Sequence, residues 1–158
     1  MVESMVLIKE GNLLDAEEFV IVHACNAQGY FNSGVAKGIK ERYPIAYVKY
    51  KDLLQEANNP MGKVAIAIDF KQDKIIMNCI TQSNFGYDGK RYTSYKAVID
   101  ALTRVFQACK VSNYKTIALP YGMCSVRGGA NWEYIYNLIC MLSEEYNVDV
   151  TIYKLDLG

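Results

Sequence analysis

The sequence has no excess of charge of either sign and no long apolar run. Seventeen basic and seventeen acidic residues leave a formal net charge of zero over 158 residues. Proteins that bind nucleic acid rely on phosphate contacts and usually carry a basic surface, so we expect no nucleic-acid partner. Uninterrupted aliphatic runs, such as residues 19–22 and 64–68, are far shorter than the ~18 residues that span a bilayer, so we expect no membrane association.

The chain also lacks the cysteine pattern of a secreted or zinc-binding protein. Its five cysteines are odd in number and include no C-x-x-C pair, which argues against a disulfide framework and a zinc site. The N-terminus has neither the basic start nor the apolar stretch of a signal peptide. We therefore expect a cytoplasmic protein with reduced thiols and with neither a metal nor a cofactor.

The apolar residues that are present alternate between strand and helix patterns. We predict strands over residues 5–9, 19–25, 63–70, 74–80, 115–120 and 148–155, the third and fourth forming a hairpin. Helices are expected over residues 34–42, from Pro44, from about Tyr95 with Thr93 as N-cap, and from Trp132 with Asn131 as N-cap.

This order of elements predicts an α/β fold, a three-layer α/β/α sandwich with a mixed central sheet in a single domain over residues 1–158. The runs at residues 19–22 and 64–68 are apolar without alternation. Such runs are typical of strands covered by helices on both faces, so both are expected to be buried on both faces.

Two glycine-bearing loops each lead from a strand into a helix, at residues 23–38 and 120–132. In open α/β sheets, ligands bind outside the carboxyl ends of such strands. Glycine permits close backbone approach, and a helix N-terminus offers unpaired amides at its positive end. Together the loops could cradle a diphosphate, although a single loop of this kind is more often a simple turn.

Familiar nucleotide-binding motifs are absent. Gly29 and Gly34 have the spacing of a P-loop, but Val35 and Ala36 follow where Lys and Ser or Thr are required. No G-x-G-x-x-G sequence is present. These absences disfavour NTP hydrolysis and hydride transfer.

His23 is the only histidine and follows an apolar strand, so its ring is expected at the mouth of the sheet. It is either a catalytic group or a core histidine, and Asn26 is either a ligand contact or a cap of its own loop. Cys25 and Cys124 are interpreted as small buried residues, because neither has a second histidine to activate it.

The polar and aromatic segment at residues 82–92 is either surface or a lid over a cleft. Asp88 within it is the nearest candidate carboxylate. Arg127, in the second loop, is either solvated or a phosphate contact.

At these loops the sequence resembles the macro domain family of ADP-ribose-binding α/β/α modules. Residues 5–12 are similar to its first strand and the Gly-Asp or Gly-Asn that follows. His23, Asn26 and residues 34–36 are similar to the ligand loop of the branch that contains ADP-ribose 1''-phosphate phosphatases. Residues 119–122 and 128–132 resemble the second phosphate loop, and residues 151–153 the last strand.

The resemblance implies a role for each of these positions. The adenine end would meet Asn12 and Tyr153, the diphosphate would lie between the two loops, and Asn26 would hold the distal ribose. His23 and Asn26 are the implied catalytic residues. The implied ligand-binding residues are Gly11, Asn12, Leu13, Ala24, Cys25, Asn26, Ser33, Gly34, Val35, Ala36, Lys37, Gly38, Ser125, Val126, Arg127, Gly128, Gly129, Ala130, Asn131 and Tyr153.

The chain departs from the family at four positions. Asn12 stands where Asp is common, Ser33 replaces a glycine, and Asn131 stands where some relatives carry Asp. The branch that removes ADP-ribose through a lysine adduct carries that lysine just after the fourth strand, where this chain has Thr81, Gln82 and Ser83. Glutamine cannot form a Schiff base.

The resemblance therefore favours a monomeric hydrolase that binds a small ADP-ribose derivative and cleaves the phosphomonoester of ADP-ribose 1''-phosphate without a metal. Two alternatives remain open. In the first alternative the protein is a non-catalytic reader of ADP-ribose. In the second it is a hydrolase that removes ADP-ribose from modified macromolecules.

Overall fold

The computed structural model describes residues 4–86, 88 and 90–156, and this part of the chain forms six strands and four α-helices. The strands are β1 (Val6–Glu10), β2 (Val20–Asn26), β3 (Val64–Asp69), β4 (Lys74–Gln82), β5 (Thr116–Pro120) and β6 (Asp149–Lys154). The helices are α1 (Gly34–Arg42), α2 (Pro44–Glu56), α3 (Tyr95–Ser112) and α4 (Trp132–Tyr146), with a short 3-10 helix at Leu13–Asp15. Each predicted strand is found, with ends shifted by at most two residues.

The strands form one mixed sheet in the order β1-β6-β5-β2-β4-β3. The first five strands in this order are parallel, and β3 pairs antiparallel with β4, as the predicted hairpin requires. Consequently β1, β6, β5, β2 and β4 all end at the same edge of the sheet. The loops that follow these strands are brought together there.

Helices cover both faces of the sheet, which gives the predicted three-layer sandwich. Neighbouring residues of β2 point to opposite faces: Ile21 packs in the cluster under α1 and α2, and Val20 and Val22 pack in the cluster under α3 and α4. Both faces of β2 are buried, as its unbroken apolar run predicts. Each such fully buried aliphatic side chain stabilises the fold by about 1.5–3 kcal/mol.

The structure corrects two of the predictions about individual strands and helices. β3 is not covered on both faces, because it is an edge strand on which Ile66 and Ile68 remain 44% and 45% exposed. Ser94, not Thr93, is the N-cap of α3: its side chain accepts from the amide of Ala97, whereas Thr93 Oγ1 donates to the backbone oxygen of Cys124. The predicted cap of α4 is confirmed, since Asn131 accepts from the amide of Tyr134.

Within the described residues, no helix combines the length and the apolar character needed to cross a membrane.

Candidate functional site

Two adjoining cavities lie at the carboxyl edge of the parallel strands. The smaller, about 170 Å³, is bounded by the ends of β5, β2 and β4. The larger, about 470 Å³, lies at the ends of β1, β6 and β5. The two cavities share four lining residues, which are Gly34, Val35, Pro120 and Tyr121. The two cavities therefore form one elongated groove with a junction at the start of α1.

The N-terminus of α1 faces this junction without a side-chain cap. Ser33 makes no capping hydrogen bond to the helix, and no acidic residue lies in the first turn. The short 3-10 helix, α3 and α4 are instead capped by Asn12, Ser94 and Asn131. Among the described residues, no side chain accepts from the amides of residues 34–36, so these amides can meet a ligand at the positive end of the helix dipole.

The second glycine-bearing loop lies across the groove from α1. A β-carbon added to Gly34 would lie 4.0 Å from Nε of Arg127. Gly34 also has a φ of +60°, in the left-handed region that side chains disfavour. The two loops expected from the sequence therefore approach each other closely at the start of α1, with glycine on one side and a guanidinium on the other.

Asn26 organises the first loop. Its Oδ1 accepts from the amides of Gln28 (2.9 Å) and Tyr30 (3.4 Å), and its Nδ2 donates to the backbone oxygen of Tyr30 (2.9 Å). Asn26 therefore caps its own loop. An amide nitrogen has two hydrogens, so one remains for a ligand in the cavity that Asn26 lines.

Tyr50 of α2, a buried residue that the sequence analysis did not identify, holds this loop in place through hydrogen bonds. The Tyr50 hydroxyl donates to the backbone oxygen of Asn26 (2.6 Å) and accepts from the amide of Gly29 (2.9 Å). Burial raises the pKa of Tyr50, so the hydroxyl stays protonated as this bond requires. A fully buried tyrosine normally has a polar partner, and Tyr50 finds its partner in the ligand loop.

The second loop uses most of its amides internally. The amides of Ser125, Val126, Gly129, Ala130 and Asn131 donate to oxygens of Gly122, Ser125, Cys124 and Tyr95. Val126, Arg127 and Gly128 are the members of residues 125–131 that line the smaller cavity. The expected amide cradle at this loop is therefore narrower than the sequence implies, because tight turns consume the other donors.

The segment after β4 ties the two loops together. The amide of Ala27 donates to the oxygen of Gln82, and the amides of Tyr92 and Thr93 donate to the oxygen of Gly128 (2.8 and 3.0 Å). A β-carbon on Gly128 would collide with Oγ1 of Thr93, which explains the glycine at this position. Gln82, Phe85 and Gly86 line the smaller cavity, so part of the segment interpreted as a possible lid borders the site.

His23 does not stand at the mouth of the sheet, which corrects the sequence prediction. β2 continues for three residues beyond it, and the ring is fully buried. Its Nε2 lies 2.6 Å from Oδ1 of Asn78, whose Nδ2 donates to the oxygens of Ala46 and Ala65. Asn78 Oδ1 is therefore the acceptor, and Nε2 carries the proton.

Burial lowers the pKa of His23 to about 4, and the hydrogen bond to Asn78 offsets this only in part. The imidazole is neutral near pH 7 and contributes to the floor of the smaller cavity. It lacks the titration near neutrality that an acid–base role demands. The core-histidine interpretation describes its environment better than the catalytic one, with Asn78 as an unforeseen partner inside an apolar strand.

Cys25 and Cys124 also line the smaller cavity and are buried, as predicted. Burial raises the pKa of Cys124 to about 12 and that of Cys25 well above its usual value. A thiol held in this way is a poor nucleophile at neutral pH, which agrees with their assignment as packing residues.

The larger cavity is shaped by Gly11 and Tyr153. A β-carbon on Gly11 would lie 3.2 Å from the Tyr153 ring, so glycine lets the chain that leaves β1 pass close to this ring. The Tyr153 hydroxyl donates to Oε1 of Glu18 (2.6 Å), and burial together with this carboxylate raises its pKa to about 12. The ring is thereby held in one orientation at the end of β6.

Most of the residues implied by the family resemblance meet at this groove. Those lining a cavity are Gly11, Asn12, Leu13, His23, Ala24, Cys25, Asn26, Ser33, Gly34, Val35, Ala36, Gly38, Val126, Arg127, Gly128 and Tyr153. Five implied residues line neither cavity: Lys37, Ser125, Gly129, Ala130 and Asn131. Lys37 is exposed on α1, and Asn131 is engaged as the cap of α4.

Several lining residues were not named individually as ligand-binding residues from the sequence, although most of them lie in the two predicted loops or in the segment at residues 82–92. They are Leu14, Tyr30, Asn32, Gln82, Phe85, Gly86, Pro120, Tyr121, Gly122, Met123, Cys124, Lys154 and Leu155. Most directly follow the end of a parallel strand. That rule could have identified them once the strand order was known.

The charged side chains among the described lining residues all carry the same sign. Among the described residues that line the groove, Arg127 and Lys154 are the ionised side chains and none is a carboxylate. Asp88, the candidate carboxylate, instead accepts from the Tyr92 hydroxyl (2.9 Å) and the amide of Lys90 (3.1 Å) within its own loop. These hydrogen bonds lower the pKa of Asp88. The groove is suited to an anion.

The profile of the macro domain family matches residues 22–135 of this chain. The chain belongs to the macro domain family. The match includes the first ligand loop, the segment after β4 and the second loop, which together surround the smaller cavity.

Curated relatives of this macro domain carry the name ADP-ribose 1''-phosphate phosphatase. A protein of that name from Candida glabrata is 28% identical over 94 residues, which are 58% of this chain and 51% of the relative. One from Candida albicans is 26% identical over 102 residues, 64% of this chain and 62% of the relative. The matched regions thus span between half and two-thirds of these relatives' length.

Solved macro domains share the fold at low identity. The macrodomain of Mycobacterium tuberculosis DarG has a TM-score of 0.82 at 22% identity and covers 95% of this chain and 97% of that one. Thermosipho africanus DarTG in complex with ADP-ribose has a TM-score of 0.77 at 19% identity, covering 94% of this chain and 41% of that one. At this identity the likeness establishes the fold alone.

Proposed function

We propose that this macro domain binds ADP-ribose along the two joined cavities and hydrolyses the phosphomonoester of ADP-ribose 1''-phosphate. The observation that carries the proposal is the uncapped N-terminus of α1 at the junction of the cavities. Unpaired amides at a helix N-terminus bind phosphate, and both ionised lining side chains are basic. A diphosphate in the middle of an elongated ligand matches this arrangement.

The two ends of the groove suit the two ends of such a ligand. The larger cavity offers the Tyr153 ring and the Asn12 side chain to an adenosine. The smaller offers the second amide hydrogen of Asn26 to the distal ribose. The volume of the larger cavity, about 470 Å³, lies within the ~300–1,000 Å³ typical of small-molecule sites.

Hydrolysis of the 1''-phosphate is supported by the names of the curated relatives. It is also supported by Gln82 at the end of β4, because the residues at this position include no lysine for the alternative route through a lysine adduct. In the proposed step a water oxygen attacks phosphorus, and the bond between phosphorus and the ribose 1'' oxygen breaks. The ribose 1'' oxygen takes up the proton that the attacking water loses, and inorganic phosphate leaves. Amide hydrogens aimed at the phosphoryl oxygens would stabilise the charge that develops during this step.

Within this proposal His23 is a positioning residue, not a proton donor. Its neutral ring and Asn78 fix the middle of β2, from which Asn26 extends into the cavity. Asn26 donates a hydrogen bond to the leaving oxygen or to the attacking water. The proposed catalytic contribution of this loop is therefore orientation and hydrogen bonding.

We propose that the reaction needs no metal. The described lining residues supply amide, hydroxyl and basic groups but no carboxylate, whereas Mg²⁺ sites in proteins usually include one or two. Phosphate release should then be the same with and without an excess of EDTA. Loss of turnover in EDTA, restored by added Mg²⁺, contradicts this part of the proposal.

The decisive experiment combines calorimetric titration with ADP-ribose and a phosphate-release assay on ADP-ribose 1''-phosphate. Saturable binding at one site together with catalytic phosphate release is the expected result. Failure to bind ADP-ribose overturns the whole proposal. Binding without phosphate release between pH 5 and 9 overturns the catalytic part.

A non-catalytic reader of ADP-ribose is the second candidate, favoured by the absence of a carboxylate among the described lining residues and by the neutral, buried His23. Binding without turnover of any substrate selects it. Release of ADP-ribose from modified protein or DNA selects the third candidate, a hydrolase that acts on macromolecules.

A further inference from the structure

The distal end of the groove is fixed by the strand order. The larger cavity lies at the ends of β1, β6 and β5, and the smaller one continues past β2 to the end of β4. A ligand with its adenosine in the larger cavity therefore points its other end towards Gln82 and the residues that follow. Any group attached to the distal ribose must be accommodated there.

Two loops are joined at this end by backbone and side-chain hydrogen bonds. The amide of Ala27 donates to the oxygen of Gln82 (2.8 Å), and Nε2 of Gln28 donates to the oxygen of Ser83 (2.8 Å). Because Ala27 and Gln28 directly follow β2, while Gln82 ends β4 and Ser83 follows it, these bonds hold the two loops in register beyond the sheet.

An aromatic pair also connects these two loops. The rings of Tyr30 and Phe85 lie edge to face, with centroids 5.3 Å apart and an interplanar angle of 71°. Both residues line the smaller cavity, yet both remain partly exposed, at 49% and 37%. They therefore have one side towards the cavity and one side towards solvent. We call Tyr30 and Phe85 the aromatic clasp.

The spacing of the clasp sets a size limit. A flat ring inserted between two others needs about 7 Å between them, twice the ~3.5 Å of an ordinary contact. At 5.3 Å the clasp has no room for such a group. A phosphate is small enough to remain on the cavity side of the pair, whereas a larger substituent that extends from the distal ribose past the pair would have to separate the two rings.

We propose that the aromatic clasp is the specificity determinant of this site and restricts the 1'' substituent to a hydroxyl or a phosphate. This proposal rests on the proposed function, since it assumes that the distal ribose of ADP-ribose occupies the smaller cavity. The clasp excludes ADP-ribose joined to a planar base or to a macromolecule through that carbon. It does not take part in bond cleavage.

The test compares ligands that share the ADP-ribose core and differ at the 1'' carbon. Calorimetry measures the affinity for ADP-ribose and for both anomers of NAD⁺, which carry nicotinamide on either side of the ribose. The reduced β anomer, NADH, serves to separate the effect of size from that of the nicotinamide charge. The proteins are the wild type, Phe85→Ala and Tyr30→Ala. Phe70→Ala is the matched control, because Phe70 is 86% exposed and lines neither cavity.

The wild type and Phe70→Ala should bind every nicotinamide ligand at least tenfold more weakly than ADP-ribose. Phe85→Ala and Tyr30→Ala should each reduce that ratio at least fivefold for one anomer. An unchanged ratio in both variants, or equal affinities in the wild type, overturns the clasp proposal while the proposed function stands. Absence of ADP-ribose binding by the wild type overturns both.

Discussion

Nε2 of His23 lies 2.6 Å from Oδ1 of Asn78, and both side chains are completely buried in the centre of the sheet. The pair joins β2 to β4 at paired positions of the ladder. The single histidine is thereby hydrogen-bonded across the sheet, three residues before Asn26 in the same strand. The pH dependence of stability follows from the burial of the ring, which lowers its pKa and which the hydrogen bond to Asn78 offsets only in part.

Stability should fall between pH 6.5 and pH 4 because of His23. Its pKa is about 4 in the folded protein and 6.5 in the unfolded chain, so the unfolded state takes up the proton first as the pH falls. The stability that the neutral ring provides is complete above pH 6.5 and is lost towards pH 4, by about 3 kcal/mol. Urea unfolding at a series of pH values measures this loss.

The matched control is His23→Gln, which keeps an amide N–H for Asn78 and cannot titrate. Because no other histidine exists, the difference between the two stability profiles isolates this group. Parallel profiles for the wild type and His23→Gln across this range would show that the ring is accessible to protons when folded.

Asn26→Ala should loosen the first loop and weaken ADP-ribose binding about tenfold or more. The variant removes the acceptor of the Gln28 and Tyr30 amides and the donor to the Tyr30 oxygen. Hydrogen exchange of those two amides should speed up locally. Calorimetry should show the loss of affinity, for which one lost hydrogen bond to the ligand accounts for about 1 kcal/mol.

Asn58→Ala, an exposed substitution outside both cavities, is the control for this experiment. Faster exchange with unaltered affinity would mean that Asn26 serves the loop and does not touch the ligand.

Val35→Asp should abolish most ADP-ribose binding without harming the fold. Val35 lies in the first turn of α1, lines both cavities and is 41% exposed. A carboxylate there competes with the diphosphate for the helix amides. It also interacts favourably with the helix dipole, by about 0.3–1 kcal/mol. We expect lower affinity together with equal or higher thermal stability.

The control is Val35→Asn, because asparagine has nearly the same shape as aspartate but no charge. Comparing the two variants separates electrostatic competition from steric change. The Asp variant should bind at least tenfold more weakly than the Asn variant at low salt, and this difference should shrink as salt rises. Equal affinities of the two variants would indicate that no anionic group lies at this helix end.

Trp132 should report ligand binding through its fluorescence. It is the only tryptophan, and its ring centroid lies 4.9 Å from that of Tyr121, which lines both cavities. A ligand that contacts Tyr121 changes the environment of the indole. Titration with ADP-ribose should give a saturable change whose midpoint agrees with calorimetry, and Trp132→Phe should abolish the change while calorimetric binding remains. A silent tryptophan at calorimetric saturation would mean that the ligand does not disturb Tyr121.

The sequence by itself determined the elements and their class. Apolar periodicity located each strand and helix, because burial of one stripe or of two faces imposes a spacing that can be read locally. It also located the two loops, because glycine and a following helix start are local features. It failed at β3, since an edge position depends on strand order and not on the residues of the strand.

Only the tertiary structure decided which residues share the groove and in what state. The buried ring of His23 finds its hydrogen-bond partner in Asn78, a residue 55 positions away, and the clasp joins Tyr30 to Phe85 through a contact between two loops. The second loop leaves fewer amides for a ligand than expected, because most of its amides form hydrogen bonds within its own turns. Such properties arise from contacts between distant segments, and a pKa or an available hydrogen-bond donor is set by those contacts and not by the residue type.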